Sequence, residues 1–328
     1  MAELRWNPLL GTWTMVAPHR QARPVVASRG CPFCPGSGKV PDQYEVLAYD
    51  NDYPTLSQEP EQITVTESAL YRVKPAYGKC EVILYSSSHD ASLWNLPQSQ
   101  VRNLVELWAE RSEALASDMA IKYVFPFENR GAEVGVTIHH PHGQIYAYPF
   151  VPLKVQVELD RSREHFGSTG RCLICDMNLE EISSGKRVIA ENDGFVVYLP
   201  FFTDYPFGTF VVPKRHLVYL SELDDTERED LASILRNLTG AFDLLYQRPF
   251  PYMMCLHQGP VNSAEYAEAK DYYHFHIEFY PPLRDAEKIK YYASSEMGAW
   301  AACNPLSVED SAVMLREAYH RFVGDSEK

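Results

Sequence analysis

The segment His139-His140-Pro141-His142-Gly143-Gln144 sets two imidazoles two residues apart and follows them with an amide. In a strand alternate side chains share a face, so His140 and His142 point the same way. Pro141 cannot donate to a ladder, which places the stretch at an edge or a strand end. Gly143 lets a ligand approach the backbone closely. Gln144 can donate a hydrogen bond to an oxyanion without carrying a transferable proton. A neutral imidazole beside such a donor is a competent nucleophile towards phosphorus. Alone, His-x-His is more often a metal pair or two buried polar residues.

Seven cysteines is an odd number, and four of them form two Cys-x-x-Cys pairs, Cys31-Pro-Phe-Cys34 and Cys172-Leu-Ile-Cys175. In a cytoplasmic chain that pattern favours metal over disulfides. Tetrahedral zinc takes thiolate and imidazole ligands, and Cys-x-x-Cys lets two thiolates from one turn point inward. The remaining ligands can come from distant sequence. One expected zinc site is Cys31, Cys34, His89 and His140; the other is Cys172, Cys175, His216 and His274. Four protein ligands leave no open position for water, so both read as structural.

The elements that position these residues recur. Cys31, His89 and His140 are followed by Cys172, His216 and His274 at offsets of 141, 127 and 134 residues, as loops of changing length would allow. Val82–Tyr85 and Phe210–Val212 read as short buried strands just before His89 and His216. Val101, Leu104, Val105, Trp108 and Leu115 then fit a helical stripe, as do Leu231, Ile234, Leu235 and Leu238. Leu104/Leu231 and Trp108/Leu235 keep the 127-residue offset of the single histidines, so helix phase is preserved. The expectation is an α+β chain built from a duplicated strand–helix–strand unit, with halves 1–155 and 156–328. Residues 151–170, polar and charged after Pro149 and Pro152, are the expected junction. Ser307 to Phe322 reads as a terminal amphipathic helix.

A length of 328 residues with 45% hydrophobic residues supplies a large core and suits about two domains. Thirty Lys and Arg stand against 44 Asp and Glu, a net charge of −14, and no basic run is longer than a pair. A nucleic-acid partner is therefore not expected, since neutralising several phosphates needs a basic stripe. A small phosphorylated ligand needs only a few local cations. No apolar run approaches the ~18 residues that cross a bilayer, and Met1–Trp6 lacks a secretory apolar stretch. A soluble, cytoplasmic protein is expected.

His140-Pro-His142-Gly-Gln144 resembles the active-site motif of the galactose-1-phosphate uridylyltransferases, in the histidine-triad superfamily. Hydrolases of that superfamily usually end the motif in His; Gln at this place marks the transferases. Trp13 to Pro24 resembles the family's N-terminal segment, and the resemblance implies that Arg20 and Arg23 approach nucleotide phosphates. Asn51-Asp52-Tyr53-Pro54 is similar to the uracil and ribose loop. Phe127-Glu-Asn129-Arg-Gly131, with Gly135 and Thr137, resembles the stretch leading into the nucleophile. Lys290-Tyr291 and Glu296 resemble the hexose-binding segment. The likeness covers most of the chain and implies a histidine-triad-like fold, a duplicated antiparallel sheet with packed helices.

The resemblance also implies the reaction. His142 attacks the α-phosphorus of UDP-glucose and releases glucose 1-phosphate. Galactose 1-phosphate then takes the uridylyl group and leaves as UDP-galactose, a ping-pong scheme. The leaving group is already a good anion, which suits Gln144 in place of a titratable His. A homodimer is implied, with the partner contributing to the hexose pocket. Many family members bind a second metal through one Glu and three His. The matching positions are Glu158, His257, His276 and Glu278, where one His has become Glu; carboxylate still suits iron or a second zinc. Cys172/Cys175 is instead like the plant nucleotide-sugar phosphorylase relatives, and Ser295 stands where a Tyr is common. Two alternatives therefore stand: a phosphorylase acting on ADP-glucose with phosphate, and a zinc-dependent nucleotide-binding protein without turnover. Phosphorylase relatives tend to have Ser where Pro141 and Gly143 stand.

Overall fold

The computed structural model describes residues 2–22, 30–63 and 65–326. At the N-terminus β1 (Glu3–Asn7) and β2 (Thr12–Val16) pair antiparallel, with Trp6 opposite Trp13 and their rings edge-on at 5.2 Å. The first half continues with β3 (Leu47–Asp50), β4 (Val73–Pro75), β5 (Lys79–Leu84), α1 (Gln98–Ala116), β6 (Tyr123–Arg130) and β7 (His142–Tyr148). Next come α2 (Leu153–Thr169), α3 (Leu173–Ser184), β8 (Val188–Glu191), β9 (Phe195–Tyr198) and β10 (Thr209–Pro213). The chain ends with α4 (Asp225–Tyr246), β11 (Tyr252–His257), α5 (Ala269–Tyr272), β12 (His276–Tyr280), α6 (Ser294–Ala299) and α7 (Val308–Ser326).

One small sheet runs β2-β1-β4; the main sheet has nine strands in the order β3-β5-β7-β6-β11-β12-β10-β9-β8. Its pairs are antiparallel, and β6 meets β11 with Arg130 opposite Tyr252 and Phe127 opposite Cys255. Moving outward from that seam, β6, β7, β5 and β3 face β11, β12, β10 and β9 in the same relative places. The duplication expected from the cysteines and histidines is thus a pair of matched half-sheets fused edge to edge. Fusion also removes an exposed edge from each half, a position prone to aberrant pairing.

Period-two alternation divides each central strand. Gly143, Ile145 and Ala147 of β7 turn towards the helices, joining Ile83, Tyr85 and Val124 in the main core. His142, Gln144 and Tyr146 occupy the other face. In β12, Ile277 and Phe279 enter the same core, leaving His276 and Glu278 opposite. Both His-x-His segments therefore present chemistry on the face away from α1 and α4.

The two expected stripes bury as α1 and α4, with Trp108, Leu104, Leu231 and Leu235 at 1% exposure or less. Such burial contributes about 1.5–3 kcal/mol for each large apolar side chain. Asp224 caps α4, accepting from the Glu227 amide at 2.9 Å, while Glu227 accepts from the Asp224 amide at 3.0 Å. That reciprocal pair satisfies donors that the helix start leaves open. Gly240 of α4 lies against Phe322 of α7, where a Cβ would come within 2.3 Å of the ring.

The junction differs from its expected character. Residues 151–170 form α2 almost entirely, not a polar connector. Val155, Leu159 and Ser162 recur at helical spacing and are buried, Pro152 suits the helix start, and Gly170 closes it at φ 70°. The terminal helix extends to Ser326. Pro141 lies just before β7, which runs between β5 and β6, so the strand-end alternative holds and the edge does not. No helix among the described residues is long and apolar enough to cross a membrane.

Candidate active site and metal centres

His142 opens β7, and its Nδ1 lies 2.7 Å from the His140 carbonyl. A carbonyl only accepts, so Nδ1 carries the proton and Nε2 keeps its lone pair. That is the tautomer a nucleophile needs. Gly143 makes the placement possible: a Cβ there would meet the Tyr85 hydroxyl at 2.3 Å and the Phe127 carbonyl at 2.8 Å.

His142 and Gln144 line a cavity of about 600 Å³ with Cys31, Asn51, Asp52 and Tyr53. Asn51 Nδ2 donates to Gln144 Oε1 at 3.4 Å. The Tyr146 hydroxyl donates to the same oxygen at 3.3 Å and accepts from Arg20 Nη1 at 3.3 Å. With its oxygen occupied, Gln144 has its amide N–H groups available for an oxyanion. Asp52 is held by Lys39 at 2.5 Å and by the Tyr49 hydroxyl at 2.9 Å. Asn129 and His142 line an adjoining cavity of about 240 Å³, floored by Val136 and Ile138. Gly135 precedes Val136 and Thr137 lies between Val136 and Ile138, and Gly135 takes φ 83°, a value that favours glycine. Arg23 lies outside the described residues.

Both cysteine clusters form. Cys31, Cys34, His89 and His140 gather with ligand atoms within 4.8 Å of one another, and so do Cys172, Cys175, His216 and His274. Cys34 Sγ lies 3.3 Å from His89 Nδ1 and 3.7 Å from His140 Nδ1. In the second cluster Cys175 Sγ is 3.5 Å from His216 Nδ1 and 3.3 Å from His274 Nδ1. Tetrahedral zinc, with bonds of about 2.3 Å to sulfur and 2.0–2.1 Å to nitrogen, sets sulfur–nitrogen edges near those values. Both donor sets fit the ion.

The outer ring nitrogens are anchored as metal-bound histidines require. His140 Nε2 meets the Ser86 carbonyl at 2.7 Å, His274 Nε2 that of Pro213 at 3.1 Å, and His216 Nε2 that of Lys270 at 3.0 Å. Burial pushes both His140 and His274 below their ordinary values, favouring the neutral ligand form. Cys172 is held well below the ordinary thiol range by Cys175, then by His216 and His274, against burial.

The third set, Glu158, His257, His276 and Glu278, also converges within 4.8 Å. It lines a larger cavity of about 800 Å³, walled mostly by second-half residues together with Tyr123, Phe125 and Tyr148 of the first. A lysine intrudes: Lys154 Nζ is bonded to Glu278 Oε2 and sits 3.7 Å from Glu158 Oε1. Nothing in the local sequence marks that meeting, since Lys154 and Glu278 are 124 residues apart.

The hexose-like segment lies elsewhere. Lys290 is buried, with Nζ 3.8 Å from Glu296 and 4.3 Å from the Tyr292 ring centroid, while Tyr291 is 73% exposed. None of these three residues lines the cavities around His142.

Sequence reasoning passed over Tyr146, Tyr44 and the buried Glu128. Tyr146 was visible as the next residue on the His142–Gln144 face, whereas Tyr44, 2.9 Å from His140 Nε2, carries no local signal. Burial pushes the Glu128 carboxyl up to about 7, with Arg130 and the Tyr252 hydroxyl at 3.2 Å pulling the other way.

Comparison with known proteins identifies the family. Residues 1–152 match the family model for the galactose-1-phosphate uridyl transferase N-terminal domain, and residues 158–298 the model for the C-terminal domain. A galactose-1-phosphate uridylyltransferase of Thermotoga maritima is 38% identical over 97% of this chain and 98% of its own. A solved uridylyltransferase structure superposes with a TM-score of 0.88 at 33% identity, covering 97% of this chain and 99% of that one. An ADP-glucose phosphorylase of Arabidopsis thaliana, solved with bound ADP-glucose, gives 0.73 at 26% identity, covering 97% and 98%. The chain belongs to the galactose-1-phosphate uridyl transferase family.

Proposed function

We propose that this protein moves UMP from UDP-glucose to galactose 1-phosphate through a uridylyl group carried on His142. His142 Nε2 forms a bond to the α-phosphorus as the bond to the leaving phosphate oxygen breaks, and glucose 1-phosphate departs with the electron pair. A phosphate oxygen of galactose 1-phosphate then attacks the same phosphorus, forms UDP-galactose and frees the imidazole. Nδ1 keeps its proton throughout, held by the His140 carbonyl that lies 2.7 Å away in the free protein. No general acid is required. The observation that carries the reading is that oriented imidazole beside Gln144, whose oxygen is already engaged.

Arg20 and Arg23 are proposed to face the phosphates, and Asn51, Asp52, Asn129, Gly135 and Thr137 to frame the uridine and the nucleophile. Arg20 is supported by its bond to Tyr146. Preorganised donors of this kind are each worth about 2.7–4 kcal/mol in acyl-transfer enzymes. Lys290, Tyr291 and Glu296 are assigned to the hexose; their absence from the His142 cavities favours a homodimer in which a second copy completes the pocket. We assign zinc to the two cysteine clusters, the boundary of the halves to 155/156, and the cytoplasm as the compartment.

A second reading, phosphorolysis of ADP-glucose, is favoured by the Cys172 cluster and weakened by Pro141 and Gly143. Assays with UDP-glucose plus galactose 1-phosphate, beside ADP-glucose plus phosphate, test the choice. Turnover of the first pair supports uridylyl transfer; turnover of the second pair alone overturns it.

A further inference from the structure

The duplication assigns each residue of the second half a counterpart. His276 and Glu278 stand on β12 where His142 and Gln144 stand on β7. His276 Nδ1 likewise meets the His274 carbonyl at 3.0 Å, but here Nε2 also faces an acceptor, so the ring is protonated on both nitrogens and keeps no free lone pair. What differs is the surrounding charge. Glu278 Oε1 accepts from His276 Nε2 at 3.2 Å, and Glu278 Oε2 faces Lys154 and, at 3.5 Å, His257 Nε2. His257 Nδ1 lies 3.0 Å from Glu158 Oε2.

A metal held by this set would bind carboxylate oxygen at about 2.0–2.2 Å. Both oxygens of Glu278 are already engaged, one of them by a cation. Lys154 is one turn before Glu158 on α2 and reaches both carboxylates at once. The resident positive charge is therefore supplied by the chain. A divalent ion would have to displace that ammonium or sit beside it.

We propose that the Lys154 ammonium replaces a metal ion at the Glu158–His257–His276–Glu278 cluster, tying α2 to β11 and β12 with an internal ion-pair network. The metal content of the protein then comes from elsewhere in the chain. The proposal is independent of the uridylyl-transfer reading, because it is read from metal content.

The test is elemental analysis of the full chain after loading with Zn²⁺, and separately with Fe²⁺ under nitrogen, followed by desalting. Lys154→Met keeps an apolar stem without the charge and should hold about one more metal per chain than wild type. Lys154→Arg keeps a cation and should match wild type. His257→Asn in the wild-type background should leave the metal count unchanged. Loss of one metal per chain in His257→Asn would overturn the proposal, as would a folded Lys154→Met protein that gains none. Should Lys154→Met fail to fold, the His257→Asn comparison decides alone.

Discussion

The first and second halves hold the same His-x-His segment in the same half-sheet position, yet they surround it with opposite charge. Around His142 stand a neutral amide, Asn51 and, through Tyr146, the Arg20 guanidinium. Around His276 stand two carboxylates and a lysine that offsets one of them. A carboxylate about 4 Å from a substrate phosphate costs about 4 kcal/mol near a protein surface. The comparison teaches that an oriented imidazole is insufficient. The fold supplies orientation twice, and the residue two positions onward decides whether phosphate is welcome.

The largest expected effect separates the two histidines. His142→Asn should lower uridylyl transfer by more than about 10⁴-fold while fold and metal content persist, on the scale of losing an essential nucleophile. His276→Asn should keep turnover within about tenfold. Comparable loss in both would break the asymmetry.

Importing the second half's residue into the first sharpens the comparison. Gln144→Glu should reduce kcat/KM about 10³-fold at neutral pH, the rate equivalent of about 4 kcal/mol. Steady-state kinetics with both substrates checks this, and unchanged activity would remove the electrostatic argument.

The metal clusters differ in their distance from chemistry. Replacing Cys172 and Cys175 by Ser should remove about one zinc per chain and lower the melting temperature by about 10 °C, while turnover stays within a few-fold. His140→Asn should lose metal and turnover together, because losing the ring as a ligand frees the backbone carbonyl that orients His142 to shift. Elemental analysis paired with calorimetry distinguishes them.

The smallest effect is a pH dependence. Glu128 is buried and titrates at about 7 in the folded chain against an ordinary 4.5. Its raised value means the folded state binds the proton more tightly. The stability it contributes is fully present below about pH 4.5 and is lost as pH rises through about 7, up to about 3 kcal/mol. Glu128→Gln should therefore flatten the fall in melting temperature between pH 5 and pH 8.

What could be read from sequence was whatever repeats or is periodic. Cys-x-x-Cys, His-x-His and the α1 and α4 stripes carry their geometry in local spacing, and the duplication made each half a control for the other. The helix α2 was obscured because Lys154, Glu158, Asp160 and Arg161 dominate its composition, although Val155, Leu159 and Ser162 hold a helical period. The β6–β11 seam had no local mark: strand pairing between units depends on edge complementarity and not on any short motif. The same holds for Arg20 with Tyr146, 126 residues apart, and for Lys154 with Glu278.

The central claim is that only the first half's histidine becomes covalently modified. Mixing the protein with UDP-glucose alone, quenching under conditions that preserve phosphoramidates, and mapping peptides by mass spectrometry measures it directly. The account expects one uridylyl group per chain, on the peptide carrying His142 and absent from the peptide carrying His276. A uridylyl group on His276, or turnover with galactose 1-phosphate without any covalent adduct, would contradict it.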